Sequence, residues 1–207
     1  MRIFGKEVRD KYGRMVDSPL QWIKKWWLGR KLRNGKVPRG RTISPMEAAD
    51  ALAVGAPANA IEGFGILSAR VIRGSGVTDL GVISVQKITV AFRDRLVDSL
   101  QNSTTAPLDV FKYHATGTGT TAEANTDTAL VTEVGARVSG TQTESAANIY
   151  RSVATVTPGG TYAITEHGLL SAAAAGVLMD RSVFAAINIT AADSIQFTYD
   201  ATFNAEA

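Results

Sequence analysis

The hydrophobic pattern of the chain changes its period several times. Two segments, Pro19 to about Leu32 and Thr89 to Gln101, place apolar side chains at the spacing of an amphipathic helix. A third, shorter helix is predicted after Ser44, which forms a capping-box pattern with Glu47, and this helix should stop near Gly55. The other apolar runs are short and favour strands.

The first predicted helix contains all three tryptophans of the chain. Ser18 and Pro19 form a helix-start signature, because Ser18 can accept a hydrogen bond from the amide three residues on and Pro19 has no N–H to leave unpaired. The apolar stripe of this helix consists of Leu20, Trp22, Ile23, Trp26 and Trp27. A short helix cannot bury such a stripe on itself, so we expect it to pack against another surface.

Strand-like runs precede and follow the second helix. Ile61–Ile72 and Leu80–Ile88 flank a turn at Gly74–Gly76, where the glycines break the apolar pattern. The apolar positions of the second helix are Phe92, Leu96, Val97 and Leu100. Beyond residue 106 the predicted strands are Val110–Tyr113, Ala129–Val138, Asn148–Val156, Tyr162–Leu170, Val177–Met179, Val183–Ile189 and Ile195–Tyr199.

Many short strands separated by turn residues are typical of a sandwich or a jelly roll. We therefore predict a mainly β protein in three segments. Residues 1–43 form a basic N-terminal arm with a short helix, and residues 44–105 form a connecting region of helices and strands that belongs to the body. Residues 106–207 form a β-sandwich or jelly-roll-like C-terminal domain.

Charge is distributed unevenly between the arm and the rest of the chain. Residues 1–43 contain 13 Lys and Arg against three acids, a net charge of +10. The remaining residues contain 9 Lys and Arg against 16 acids, a net charge of −7. A basic arm on an acidic body is suited to nucleic acid, to a membrane surface or to an acidic protein surface, including a neighbouring copy of the same chain.

Composition excludes several kinds of chemistry. The chain has no cysteine, so disulfides, thiolate metal sites and a cysteine nucleophile are excluded. Gly117–Thr121 is rich in Gly and Thr but is not followed by the Lys-Ser/Thr of a phosphate-binding loop, so a turn is predicted. Glu166 and His167 are adjacent on a predicted strand and should point to opposite faces. With His114 as the only other histidine, we expect no catalytic residues, no metal and no cofactor.

Four short elements of the C-terminal half occur in a characteristic order. They are GTGTTA at Gly117–Ala122, DTAL at Asp127–Leu130, TEV at Thr132–Val134 and AITEHGL at Ala163–Leu169. This ordered set resembles a family of structural proteins of tailed-bacteriophage virions, found among tail-fibre and distal-tail modules and capsid-associated proteins. The resemblance spans about residues 108–203 and implies a virion role and a β-sandwich.

Together these features predict a non-enzymatic virion protein, made in the cytoplasm of the host bacterium. We expect a capsid decoration (cement) or minor capsid protein whose arm bridges neighbouring capsid subunits. Its partner would be the major capsid protein, or itself as a dimer or trimer. The predicted interface residues are the anchors Trp22, Ile23, Trp26 and Trp27 and the cations Arg30, Lys31, Arg33, Arg39 and Arg41.

Other interpretations of the arm stay open at this point. A tail or fibre-adaptor protein would use the arm to plug into the phage tail. A nucleic-acid-binding protein would use its lysines and arginines to neutralise phosphates. The helix could also pack on its own domain, or lie on a membrane. We rank docking on a protein partner first, packing on its own domain second, DNA third and a membrane last, and we expect no small-molecule substrate.

Overall fold

The computed structural model describes residues 2–3, 6–7, 19–33, 42–45, 47–48, 51 and 62–204. It confirms the predicted fold class, since the protein is mainly β and has a sandwich-like body. The helices are α1 (Pro19–Arg33) and α2 (Val90–Gln101). The strands are β1 (Arg2–Ile3), β2 (Lys6–Glu7), β3 (Glu62–Arg73), β4 (Gly76–Lys87), β5 (Tyr113–Gly117), β6 (Glu133–Ser139), β7 (Thr141–Ala146), β8 (Ile149–Val156), β9 (Tyr162–Leu170), β10 (Leu178–Ile189) and β11 (Ser194–Asn204).

Two antiparallel sheets make the body. One has four strands in the order β10-β9-β5-β6, and the other has five in the order β4-β3-β11-β8-β7. The chain crosses from the first sheet to the second between β6 and β7 at Gly140. A Cβ at Gly140 would lie 2.5 Å from Ser152 Oγ, so only glycine fits where the two sheets meet. The five-stranded sheet therefore takes strands from both the 44–105 and the 106–207 segments.

The main core lies between the two sheets. On β3 and β11, residues of one parity point inward, as the period of two requires. On β3 these are Leu67, Ala69 and Val71, and on β11 they include Phe197 and Tyr199. The facing sheet supplies Ile164, Leu169, Met179, Ile187 and Ile189.

Strand β3 is buried on both of its faces. The alternate positions Phe64 and Ile66 point away from the main core and belong to a second apolar cluster. That cluster also contains Val82 and Val85 of β4, together with Leu28 and Leu32 of α1, Ile43, Ala48 and Ala51. Helix α1 therefore packs on the outer face of the five-stranded sheet.

The helix starts agree with the sequence signals. Helix α1 begins at Pro19 as predicted, and Thr89 caps α2 by accepting a hydrogen bond from Phe92 N at 3.1 Å. Ser44 Oγ likewise accepts from Glu47 N at 3.1 Å, and residues 45, 47, 48 and 51 are helical. The predicted end of this short helix, near Gly55, lies outside the described residues.

Several strands do not have the bounds that the sequence predicted. The strand expected at Val110–Tyr113 begins only at Tyr113, and the one expected at Ala129–Val138 begins only at Glu133. The long loop before Glu133 is held by side chains distant in sequence, which local pattern cannot show. The polar strand β7 has no apolar alternation and was not predicted, and the two strands expected within 177–189 form the single strand β10, which carries bulges.

Candidate functional site

Helix α1 is fastened to the body by two leucines. Leu28 and Leu32 are 4% and 1% exposed and lie one turn apart in the second apolar cluster. The predicted apolar stripe included neither of them. The helix carries apolar residues around most of its circumference, so spacing alone did not reveal which side meets the body.

The tryptophan side of α1 points outward. Trp26 is 36% exposed and Trp27 is 50% exposed. The Arg30 guanidinium carbon lies 5.6 Å from the centroid of the Trp26 ring, and Lys31 Nζ lies 3.9 Å from that of Trp27. Both pairs are at i,i+4 spacing, which places a cation over each aromatic face. We call these four side chains the tryptophan patch.

The side chains of the other predicted interface residues lie outside the described part of the molecule. Trp22, Ile23 and Arg33 lie within α1, but their side chains fall outside the described part of the molecule. Arg39 and Arg41 lie outside the described residues altogether. Their assignment to an interface stays a prediction.

A second constellation surrounds the carboxylate of Glu166 on the outer face of the four-stranded sheet. Its Oε1 accepts hydrogen bonds from the amides of Gly119 at 2.9 Å and Thr132 at 2.7 Å. Its Oε2 accepts from Val131 N at 3.1 Å and from Arg181 Nε at 2.8 Å. Burial opposes ionisation of Glu166, yet these donors together hold its pKa below the usual value.

Arg181 extends this network across the loop that precedes β6. Its guanidinium also donates to Asp127 Oδ2 at 3.0 Å and to the Thr121 carbonyl at 3.1 Å. The Arg181 and Glu166 side chains are 2% and 0% exposed, so the charge of each is balanced inside the protein. Sequence reasoning missed Arg181. The available signal was an adjacent pair of charged residues, Asp180 and Arg181, inside the mostly apolar strand β10.

The elements that carry the phage resemblance converge on this carboxylate. Gly119 and Thr121 come from GTGTTA, Asp127 from DTAL, Thr132 from TEV and Glu166 from AITEHGL. A Cβ at Gly119 would lie 2.5 Å from Glu166 Oε1, so glycine leaves room for the carboxylate. The Gly/Thr turn therefore cradles an anion that belongs to the protein itself.

Glu166 and His167 point to opposite faces, as predicted. His167 is fully buried between the sheets, with its ring centroid 4.6 Å from that of Phe197. Its Nε2 lies 2.9 Å from His114 Nδ1, and His114 Nε2 lies 2.9 Å from Ser152 Oγ. Burial lowers the pKa of His114 to about 3, and burial together with the charge of His114 lowers the pKa of His167 well below its usual value.

The Ser152–His114–His167 relay has the distances of a nucleophile, a base and an orienting group. All three side chains are 0% exposed, however, whereas a nucleophile has to contact its substrate. In this structure the three side chains are therefore part of the packed core.

Asp180 is a buried acid in the same interior. Ser182 Oγ donates to its Oδ1 at 2.7 Å, whereas Asp180 Oδ2 and Tyr199 OH have no hydrogen-bond partner among the described residues. A Cβ at Gly65 would lie 2.5 Å from each of these two oxygens, which explains the glycine. Burial raises the pKa of Asp180 to about 7.

The described residues form neither a metal-binding cluster nor a membrane-spanning helix. Among them, no group of three or more His, Asp or Glu side chains is placed to hold a metal ion. In the same part of the chain, no helix is both long and apolar enough to cross a bilayer.

The protein is therefore mainly β, and a helix packed on one of its sheets presents aromatic and cationic side chains to solvent. Comparison of the chain with protein-family models, with curated proteins and with solved structures gives no significant match.

Proposed function

We propose that this chain is a non-enzymatic structural protein of a tailed-phage virion, and specifically a capsid decoration or minor capsid protein. The observation that carries the proposal is the tryptophan patch. A helix anchored through Leu28 and Leu32 leaves two indoles exposed beside two cations. Trp and Arg are enriched among the residues that dominate protein interfaces.

The proposed role requires attachment to the capsid shell and does not require catalysis. A decoration protein stabilises a shell by bridging neighbouring subunits, and repeated weak contacts are multiplied when many copies bind the same particle. The partner of the tryptophan patch would be the major capsid protein or a second copy of this chain. The order of the GTGTTA, DTAL, TEV and AITEHGL elements adds support through its resemblance to virion proteins.

The deciding experiment measures copy number in particles of the phage that carries this gene. Quantitative mass spectrometry of purified particles should find hundreds of copies for a decoration protein. A dozen or fewer would instead support a tail or fibre-adaptor protein. Absence of the chain from purified particles would overturn the virion role.

A variant tests whether the arm is the attachment element. Replacing Trp22, Trp26 and Trp27 by Ala should abolish incorporation while the body stays folded. Val77, an exposed hydrophobic residue on β4, supplies the matched control, since Val77→Ala should be incorporated normally. Normal incorporation of the triple variant would contradict attachment through the arm.

The nucleic-acid alternative is favoured only by the charge of +10 on residues 1–43. It predicts binding to duplex DNA that falls steeply as salt is raised, because displaced counterions drive such binding. Fluorescence anisotropy with a labelled duplex measures this directly. We expect no binding of this kind, and tight salt-dependent binding would replace the structural role by a DNA-binding one.

A further inference from the structure

The exposed end of α2 is a second apolar surface. Phe92 at its start is 5% exposed and packs in the main core, but Val97 is 50% exposed and Leu100 is 82% exposed. The predicted apolar face of α2 is thus buried only over its first turn. The other described large hydrophobics with high exposure are the two indoles of the tryptophan patch, Val77 and Val131.

An apolar cleft opens beside the first half of α2, which contributes Phe92 and Leu96 to its wall. It has a volume of about 420 Å³ and is lined by hydrophobic side chains, among them Leu96, Leu108, Tyr150 and Phe203. The Tyr150 hydroxyl donates to the Phe111 carbonyl, so its polar atom is satisfied and its ring is left to line the cleft. We call this the α2 cleft. A preformed cleft of aromatic and aliphatic walls suits a large apolar side chain.

The chain's own tryptophan patch is not the occupant of this cleft. Leu28 and Leu32 hold α1 on the outer face of β3 and β4, and none of the described residues that line the cleft belongs to α1. Trp26 and Trp27 are exposed in the same structure in which the cleft is open. The described part of one molecule therefore presents both two exposed indoles and an apolar cleft, and none of its α1 residues lines that cleft.

Charge favours a second copy as the occupant. The arm that carries the indoles has a net charge of +10 and the remainder of the chain has −7. The α2 acids Asp94 and Asp98 are balanced in number by Arg93 and Arg95, so the attraction is between the basic arm and the acidic body as a whole. A basic helix on one copy is therefore attracted to the acidic body of another, and this attraction steers the encounter.

We propose that the tryptophan patch of one copy docks into the α2 cleft of a second copy of the same chain. The contact joins two different surfaces, so it is head-to-tail, and repeated contacts would build a ring or an open chain. This proposal rests on the proposed function, because it takes a second copy of this chain as the partner that the tryptophan patch binds.

Self-association of the full chain tests the proposal. Wild-type protein should form oligomers whose size rises with concentration in sedimentation-velocity runs. Trp26→Ser with Trp27→Ser should remove the exposed indoles, and Leu96→Glu with Leu108→Glu should place two charges in the wall of the α2 cleft. Each double variant should associate about thirtyfold more weakly or worse, as expected on removal of an aromatic hot spot. Val77→Glu, at an exposed hydrophobic position that neither lines the cleft nor belongs to the tryptophan patch, should behave as wild type.

Mixing the two double variants gives the decisive result. Each retains one intact half of a head-to-tail contact, so an equimolar mixture should form one-to-one dimers and nothing larger. A mixture that stays monomeric while wild type oligomerises would overturn the proposal, as would wild type that is monomeric at every concentration. Circular dichroism of each variant checks that it is folded.

The outcome is separable from that of the virion proposal. Self-association with the predicted complementation, but no copies in particles, would uphold the docking contact and remove the virion role. Abundant copies in particles with no self-association would do the reverse.

Discussion

Arg181 Nε lies 2.8 Å from Glu166 Oε2, and both side chains are almost completely buried. The pair joins β9 to β10 and anchors the loop between β5 and β6, because Glu166 also accepts hydrogen bonds from three amides of that loop. A carboxylate used in this way orders the long irregular segment between β5 and β6. The first prediction concerns this pair.

Replacing Glu166 by Gln should lower the free energy of unfolding by about 3–5 kcal/mol, because it leaves the buried Arg181 charge without its main partner. Urea denaturation followed by circular dichroism measures the change. The amides of Gly119, Val131 and Thr132 should also exchange hydrogen faster. The exposed Arg93–Asp94 pair supplies the control, since Asp94→Asn should cost less than about 1 kcal/mol. Equal effects of the two substitutions would show that Glu166 does not anchor the loop.

The second prediction separates the two sides of α1. Leu32→Ala should weaken docking of the helix on the five-stranded sheet by about 2–5 kcal/mol, since it leaves a cavity in the second apolar cluster. Trp26→Ala removes a side chain that is already 36% exposed and should change stability far less. All three tryptophans lie in α1, so indole fluorescence reports on this helix alone.

Acrylamide quenching and fluorescence anisotropy during thermal unfolding are suitable measurements. In Leu32→Ala the indole signal should change at a lower temperature than the far-ultraviolet signal of the sheets. If Trp26→Ala were as destabilising as Leu32→Ala, the orientation of α1 described above would be wrong.

The third prediction follows from Asp180. Its pKa is raised to about 7 in the folded protein, against about 3.9 for an unperturbed Asp. The folded state therefore holds this proton more tightly than the unfolded state does. The contribution of Asp180 to stability is fully present below pH 3.9 and is lost as the pH rises through 7, with a slope of up to about 1.4 kcal/mol per pH unit.

Asp180→Asn removes this ionisation while preserving the size of the side chain. The free energy of unfolding of the variant, minus that of wild type, should become more positive from pH 4 to pH 7 and then level off. Denaturant titrations at several pH values give this difference directly. A difference that does not vary with pH would mean that Asp180 titrates normally, and Asp94→Asn serves as the exposed control.

The fourth prediction has the opposite sign. Burial depresses the pKa of both His114 and His167. Below about pH 6.5 these histidines are therefore protonated in the unfolded state, whereas they stay neutral in the folded state. Their contribution is present above pH 6.5 and is lost as the pH falls, in the case of His114 through about 3. Each histidine should contribute a slope of up to about 1.4 kcal/mol per pH unit in this range.

The double variant His114→Gln with His167→Gln should therefore lose less stability on acidification than wild type does. Between pH 4 and 6.5 the contributions of the histidines and of Asp180 to the free energy of unfolding change in opposite directions. The free energy of unfolding of the Asp180→Asn variant should therefore depend more steeply on pH than that of wild type. Parallel stability curves for wild type and the double variant would rule out neutral buried histidines.

Local signals predicted the elements that depend on neighbouring residues. Thr89 and Pro19 mark the starts of α2 and α1 because capping and the missing proline N–H act within one turn. The strand predicted at Tyr162–Leu170 matches β9. Gly74 and Gly159 adopt positive φ in turns, a conformation that glycine accepts readily. The mainly β fold class follows from the spacing of such signals along the chain.

Contacts between distant residues were decided by the tertiary structure. Glu166 and Arg181 are separated by 15 positions, and the loop amides that meet Glu166 lie 34 to 47 positions away from it. No periodic pattern encodes such a meeting, because it depends on which strands pair and in which register. The buried side of α1 was likewise determined by the tertiary structure, because the helix has apolar residues on several sides. Leu28 and Leu32 pack on the outer face of β3 and β4, and Trp26 and Trp27 are exposed to solvent.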